Sequence, residues 1–220
     1  MKKKLKISFI ILISILALLY IFRNEFFNEA KSDLEKSYVN NPSNDISILK
    51  GLDLKLEKSE NNKYSEIAFS IDGLIDTKGF FKQFDILFKV SEITPKEAKF
   101  KVKIDVSSIF TNEEKRDKSL MSEEYFNTET YPFIVFKSKS IDKTENGYRV
   151  KGKLEMMGIS KDFSFPFNFL GTSTNSENND VAIFEGEFEI DRTQFGMSES
   201  AGIGNIVYVN FHTEMTIEDK

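Results

Sequence analysis

The chain has 220 residues, with 30 basic and 35 acidic side chains, no cysteine, no tryptophan and a single histidine, whereas 22 residues are phenylalanine. The lack of cysteine excludes disulfides, thiolate zinc sites and cysteine nucleophiles, and one histidine leaves a single candidate for a histidine ligand or base. The net charge of −5 becomes more negative once the basic first 23 residues are set aside, so a nucleic acid partner is not expected.

The N-terminus has the pattern of an export signal or a membrane anchor. Four lysines among the first six residues precede an apolar run over residues 7–22, slightly short of a ~30 Å hydrocarbon core as a helix. Bulky residues follow this run where cleavage requires small ones, so residues 1–23 are predicted to form an uncleaved, helical signal-anchor, with a cleaved signal peptide as the alternative. The lysines would then stay cytoplasmic and the rest would be exported. Residues 24–45 are polar and predict a linker.

From residue 46 onward the hydrophobic period is two, which is typical of half-buried β-strands. Eight or nine segments alternate in this way, among them residues 100–106 and 163–169. The dipeptide Asn146-Gly147 between two such segments predicts a type I′ hairpin. Residues 46–220 are therefore predicted to form one all-β domain, either a sandwich or an antiparallel barrel of about eight strands.

One helical stretch and a few polar residues stand out from this pattern. Residues 111–125 predict a short helix, and Thr111 and Glu114 have the spacing of a capping box. His212 lies in an alternating segment and is expected to be a surface or internally hydrogen-bonded histidine. The sequence shows no nucleophile elbow and no acid–His–Ser set, so neither an enzyme nor a cofactor or metal site is expected.

The phenylalanines are predicted to be concentrated on the inner face of the sheet. They can fill the interior as an ordinary core, or line a lumen that holds an apolar ligand, as barrels of about eight strands can. Both interpretations remain open at this point. The candidate ligand-binding residues are Phe69, Phe84, Phe88, Ile104, Phe136, Phe163, Phe165, Phe167, Phe188 and Phe211.

A series of short motifs runs through the predicted domain. In chain order they lie at residues 79–85, at residues 104–111, at Arg116-Asp117 with residues 120–126, at residues 131–138, at residues 150–158 and at residues 191–197. Together they resemble the YceI-like family of lipid- and polyisoprenoid-binding proteins. Each motif is weak alone, but six in the same order make the resemblance specific.

The resemblance implies a lipocalin-like, extended antiparallel β-barrel whose lumen binds a long isoprenoid or similar amphiphile. We therefore expect a non-enzymatic carrier of a polyprenyl or quinone-like lipid on the exported side of a bacterial membrane, attached through residues 7–22, with a homodimer left open. The alternative is a structural or protein-interaction module with a self-filled phenylalanine core. Arg116 and Asp117 match a family motif and are expected to organise the helix. Tyr64 and Ser119 stand where many members carry histidine, so head-group contacts are expected to differ.

Overall fold

The computed structural model describes residues 32–58, 62–74, 76–90 and 97–218, and the predicted signal-anchor lies outside them. Within these ranges the chain forms twelve strands and one α-helix. The strands are β1 (Asn41–Pro42), β2 (Asp53–Lys58), β3 (Glu66–Gly73), β4 (Thr77–Phe81), β5 (Phe84–Lys89), β6 (Lys99–Asp105), β7 (Ile109–Phe110), β8 (Phe133–Thr144), β9 (Gly147–Met156), β10 (Ile159–Thr174), β11 (Asp180–Asp191) and β12 (Ile203–Glu218), and the helix is α1 (Glu114–Met121). In the same ranges no helix has the length and apolarity of a membrane span.

The strands form a closed antiparallel barrel of eight rows. Five rows are the single strands β8 to β12, and the other three are interrupted, with β2 continued by β3, β4 by β5 and β6 by β7. The long strand β12 closes the barrel because it pairs with β11 on one side and with both β2 and β3 on the other. The prediction of an all-β, lipocalin-like antiparallel barrel of about eight strands with a short helix is therefore confirmed.

The alternation in the sequence determines which face of each strand lies inside. On β5, Phe84, Ile86 and Phe88 are buried, whereas the residues between them are exposed. The same alternation holds along β9. Because side chains on successive residues of a strand point to opposite faces, the period of two predicts the inner face reliably.

The two ends of the barrel are closed differently. One end is closed by a 3-10 turn at Ile46–Leu49, whose residues Ile46 and Leu49 are fully buried. The helix α1 and the connection between β11 and β12 cover the opposite end. We call the half of the barrel next to the 3-10 turn the packed half, and the half next to α1 the hollow half.

The described part of the predicted linker lies against the barrel wall. Residues Asn41–Pro42 pair with β10, and the Tyr148 hydroxyl accepts a hydrogen bond from the Ile46 amide at 3.0 Å and donates one to the Asn44 carbonyl at 3.2 Å. We call residues 32–46 the N-terminal strap. Asn41–Pro42 thus extend the sheet beside β10, and the hydrogen bonds to Tyr148 hold the end of the strap where Ile46 is buried.

Two local predictions were wrong in detail. The helix is shorter than predicted, and its N-cap is Glu113, whose carboxylate accepts from the amides of Lys115 and Arg116. The hairpin between β8 and β9 forms, but its two-residue loop is 145–146 and the positive φ, 120°, belongs to Gly147. A type I′ turn needs positive φ at both loop residues, so this hairpin uses a different turn.

Candidate functional site

The hollow half contains a cavity of about 250 Å³, which we call the lumen. Apolar side chains from the strands form its wall, and α1 contributes Leu120. The polar residues among those that line it are Thr77, Arg116, Ser119, Tyr125 and Arg192. Protein interiors are close-packed, with few voids larger than a water molecule. A cavity of this size is therefore a binding-site candidate rather than a packing irregularity.

Seven of the ten candidate ligand-binding residues line the lumen. They are Phe69, Ile104, Phe136, Phe163, Phe165, Phe188 and Phe211. Their side chains come from six different strands, and the closure of the barrel brings them together. Their role in ligand binding stays a prediction.

The other three candidates face the interior but do not line the lumen. Phe88 and Phe167 border a much smaller void of about 20 Å³ in the packed half, and Phe84 is buried at 2% exposure outside both spaces. For Phe88 and Phe167 the physical reason is that alternation determines the face on which a side chain lies but not its height along the barrel. Phe84 has lumen-lining neighbours, since it pairs with Ile104 and precedes Ile86 on the same face of β5, but its own side chain is enclosed.

Strand β10 shows the change from lumen to core within seven residues. Phe163 is half-buried and lines the lumen, and Phe165 borders both the lumen and the small void. Phe167 borders only the void, and Phe169 is buried at 2% exposure beyond it. The two interpretations of the phenylalanine excess therefore each describe one half of the same barrel.

The aromatic walls of the lumen hold one another in place. The rings of Phe165 and Phe188 are stacked with centroids 4.6 Å apart, and Phe163 meets Phe188 edge-on at 5.7 Å. Such aromatic pairs add about 0.5–1.5 kcal/mol beyond simple burial. The wall is thus preorganised, so its side chains would lose less conformational entropy when an apolar molecule binds.

Thr111, Arg116 and Asp117 fix α1 over the hollow half. Asp117 Oδ1 accepts hydrogen bonds from the Thr111 amide at 2.9 Å and from its hydroxyl at 2.5 Å. Arg116 donates through Nε to the Thr111 hydroxyl and through Nη2 to its carbonyl, both at 2.8 Å. Thr111 is fully buried and is not a helix cap. The expectation that Arg116 and Asp117 organise the covering helix is confirmed.

Arg192 has the corresponding role in the connection between β11 and β12. It is only 3% exposed, and it donates through Nε to the Gly204 carbonyl at 2.8 Å and through Nη1 to the Ser198 carbonyl at 2.6 Å. These bonds shape the loop that places Met197 in the lumen wall. The guanidinium is therefore used for structure at the edge of the lumen.

The entrance to the lumen lies between α1 and the start of β12. Ser119 and Ile203 both line the lumen and are both exposed to solvent. Ser119, one of the two positions at which the family resemblance predicted a difference, therefore lies at the entrance. Tyr64, the other such position, lies elsewhere, with its hydroxyl 2.9 Å from Ser176 Oγ.

Several residues of the lumen were not among the predicted site residues. Leu120, Phe126 and Met197 come from α1 and from loops, where no strand alternation marks an inner face. Their signal in the sequence was their position within the family motifs at residues 120–126 and 191–197. On the strands, Val207 and Val209 were identifiable as inward-facing by alternation but carry no aromatic ring.

A polar cluster lies on the outer side of the barrel wall beneath the N-terminal strap. His212 is 5% exposed, with Nδ1 2.9 Å from Glu185 Oε1 and Nε2 3.4 Å from Glu214 Oε1. Glu214 also accepts from the Ser37 amide at 2.8 Å and from its hydroxyl at 2.7 Å, and Lys36 pairs with Glu185. His212 is thus an internally hydrogen-bonded histidine, as predicted, and the cluster fastens the strap.

Hydrogen bonds favour the ionised forms of the two glutamates in this cluster. Burial acts to raise the pKa of Glu214, but hydrogen bonds from His212 and Ser37 outweigh it and hold the pKa below the usual value. Burial opposes ionisation of Glu185 as well, and hydrogen bonds from Lys36 and His212 lower its pKa. Across the part of the chain that the structure describes, no group of three or more acidic or histidine side chains is arranged to hold a metal ion.

Comparison with known proteins agrees with this architecture. The family described as YceI-like domain matches residues 60–215. The chain is 30% identical over 150 residues to a UPF0312 protein of Serratia proteamaculans, an alignment that covers 68% of this chain and 78% of the relative.

Two solved structures share the fold. BcnA of Burkholderia cenocepacia superposes with a TM-score of 0.59 at 22% identity, covering 69% of this chain and 96% of BcnA. A polyisoprenoid binding domain from Saccharophagus degradans, implicated in plant cell wall breakdown, gives a TM-score of 0.55 at 13% identity, covering 76% of this chain and 99% of that domain. At these identities the two structures show a common fold.

Proposed function

This chain belongs to the YceI-like domain family, and on that premise we propose that its lumen binds the tail of an isoprenoid lipid. The observation that carries the proposal is the apolar lumen of about 250 Å³ with half-buried aromatic walls. Transfer of an isoprenoid tail from water into such a wall gains about 25 cal/mol per Å² of buried apolar surface. The polyisoprenoid binding domain from Saccharophagus degradans, with the same fold, supports this choice of ligand class.

The two charged residues that line the lumen, Arg116 and Arg192, are used for structure, which supports a binding role. The guanidinium groups of Arg116 and Arg192 donate to protein oxygens that fix α1 and the β11–β12 connection. General acid or base chemistry would require a polar group directed at a reacting atom. We therefore propose a non-enzymatic carrier or scavenger.

The proposed location is the exported face of a bacterial cytoplasmic membrane. The basic first residues and the apolar run over residues 7–22 support it, since this arrangement keeps the lysines inside and exports the remainder. Cell fractionation and sequencing of the mature N-terminus test the location. Recovery of the intact chain in the membrane fraction supports an anchor, and a mature chain beginning after residue 22 would replace it with a cleaved signal.

Lipid extraction from the purified full chain, followed by mass analysis, tests the proposed ligand. An isoprenoid is expected to co-purify with the wild type, or to be taken up when a polyprenol is added. Val209→Trp, which places a large ring in the lumen, is expected to abolish this. Tyr208→Trp is the matched control, because Tyr208 is the preceding residue on the outer face and is 40% exposed. A wild-type protein that neither carries nor takes up an isoprenoid would contradict the proposal.

A further inference from the structure

Three phenylalanines separate the lumen from the small void beneath it. Phe100, Phe165 and Phe211 line both the cavity of about 250 Å³ and the void of about 20 Å³. They extend from β6, β10 and β12, which lie on different sides of the barrel. We call these three residues the partition.

The partition is tightly packed. The rings of Phe165 and Phe211 meet edge-on at 6.2 Å, and Phe136 bridges Phe100 and Phe165 with centroid distances of 6.2 and 5.0 Å. Phe88 supports Phe100 from below with an edge-on contact at 5.8 Å. All four distances lie within the contact range of aromatic pairs. The partition thus forms a floor across the barrel.

The distance from this floor to the entrance limits the length of the bound tail. On β12 the lumen wall extends from Phe211 through Val209 and Val207 to Ile203 at the entrance. The register shifts between Ile203 and Val207, so residues 203–211 advance only six steps along the paired strand β3, from Gly73 to Ile67. Six strand steps of ~3.3 Å, on strands tilted by roughly 40°, correspond to a depth of about 15 Å. An extended isoprene unit has four chain carbons and is about 5 Å long, from carbon–carbon bonds of ~1.5 Å. The lumen therefore accommodates about three units.

We propose that the partition sets the maximum tail length, so that affinity rises up to about three isoprene units and gains nothing from longer tails. This inference rests on the proposed function, because it concerns the ligand of the same lumen. Each additional buried methylene is expected to raise the affinity by a factor of about four, and each methylene beyond the entrance stays in water and contributes no gain.

A series of isoprenoid alcohols tests this limit. Geraniol, farnesol, geranylgeraniol and octaprenol are titrated against the full chain, and each displaces the bound fluorescent probe anilinonaphthalene sulfonate. The wild type is expected to bind farnesol more tightly than geraniol, with no further gain for geranylgeraniol or octaprenol. Phe165→Ala removes one ring of the partition and joins the void to the lumen. In this variant the ratio of the affinity for geranylgeraniol to the affinity for farnesol is expected to be at least tenfold higher than in the wild type.

Phe163→Ala is the matched control, because Phe163 lies two residues earlier on the same face of β10 and lines the lumen but not the void. It is expected to change the affinities of all four alcohols by a similar factor. If Phe165→Ala does not fold, Phe211→Leu opens the same partition from β12. A continued rise to octaprenol in the wild type, or the same length shift in Phe163→Ala, would overturn the inference and leave the proposed function intact. Failure of every alcohol to displace the probe would instead contradict the proposed function.

Discussion

The packed and hollow halves of the barrel are built from the same strands and the same residue type, yet they differ in what surrounds each ring. In the packed half, Phe88 contacts Phe100 and Phe184 edge-on and is 2% exposed. In the hollow half, Phe163 and Phe188 contact each other but remain half-buried, because one side of each ring faces the lumen. The difference shows that a phenylalanine-rich inner face can stabilise the fold at one level and form a ligand-binding surface at another.

The largest expected effect concerns stability. Phe88→Ala should lower the free energy of unfolding by about 3–5 kcal/mol, because it leaves a cavity in a close-packed region. Phe163→Ala should cost less than half as much, because that side chain already borders a cavity. Urea denaturation of both variants measures the difference. Equal losses would show that the two halves are packed alike.

The next effect concerns the cover of the hollow half. Asp117→Ala removes both hydrogen bonds to Thr111 and leaves a fully buried hydroxyl without its acceptor. A loss of about 2 kcal/mol is expected from bonds to a charged group. Amide hydrogen exchange should increase over residues 111–121 and stay unchanged in the packed half. Glu114→Gln, an exposed substitution in the same helix, is the control and should leave exchange as in the wild type. Uniform acceleration along the chain would contradict a local role.

The stability that the outer face of β12 contributes should depend on pH, whereas ligand binding at its inner face should not. Glu214 has a lowered pKa in the folded protein, so its contribution to stability is complete above the usual value of 4.5 and is lost as pH falls through the lower folded value. Glu214→Gln should therefore be less stable than the wild type near neutral pH, by about 1 kcal/mol. That difference should shrink in acid. Urea midpoints of both proteins at several pH values measure it.

Binding in the lumen provides the contrast to this acid dependence. The lumen wall is apolar, so displacement of a bound isoprenoid alcohol should not follow the titration of Glu214. Glu185→Gln is a second probe of the outer cluster, since the pKa of Glu185 is also lowered. A stability difference between Glu214→Gln and the wild type that stays constant from neutral to acid pH would contradict the assigned hydrogen bonds.

The smallest expected effect lies at the entrance. Ser119→His places an imidazole at the entrance to the lumen, and its positive charge below about pH 6.5 would attract an anionic head group. Affinity for an isoprenyl phosphate should rise a few-fold in mild acid, whereas affinity for the corresponding alcohol should not change. Displacement titrations with both ligands measure this. An equal change for phosphate and alcohol would place the side chain against the tail instead.

Much of the fold could be predicted from the sequence because strand alternation has a direct physical cause. The period of two identifies the inner residues of β5, β9 and β10, and it holds in the structure. The site was predictable only in part. Phe88 and Phe188 carry the same local pattern, but the first is enclosed by rings from other rows and the second faces the lumen. That distinction depends on barrel closure and strand register, which bring together residues distant in the chain.

Local hydrogen bonds explain why the capping box predicted from Thr111 and Glu114 does not form. Asp117 accepts a hydrogen bond from the Thr111 hydroxyl, and the Glu113 carboxylate accepts hydrogen bonds from the first amides of α1. The spacing of Thr111 and Glu114 does not reveal that Asp117, six residues after Thr111, supplies the acceptor for the Thr111 hydroxyl. Leu120 and Met197 reach the lumen from a helix and a loop, where a period of two has no meaning.

The most direct test of the central claim uses the lack of tryptophan in the chain. Phe188→Trp and Phe184→Trp each introduce a single emitter on β11, the first in the lumen wall and the second in the packed half. Farnesol is titrated against each full-length variant while tryptophan emission is recorded. We predict a saturable change in the emission of Phe188→Trp and none in that of Phe184→Trp. Equal responses from the two variants, or no response from Phe188→Trp, would contradict the claim that the hollow half alone receives the ligand.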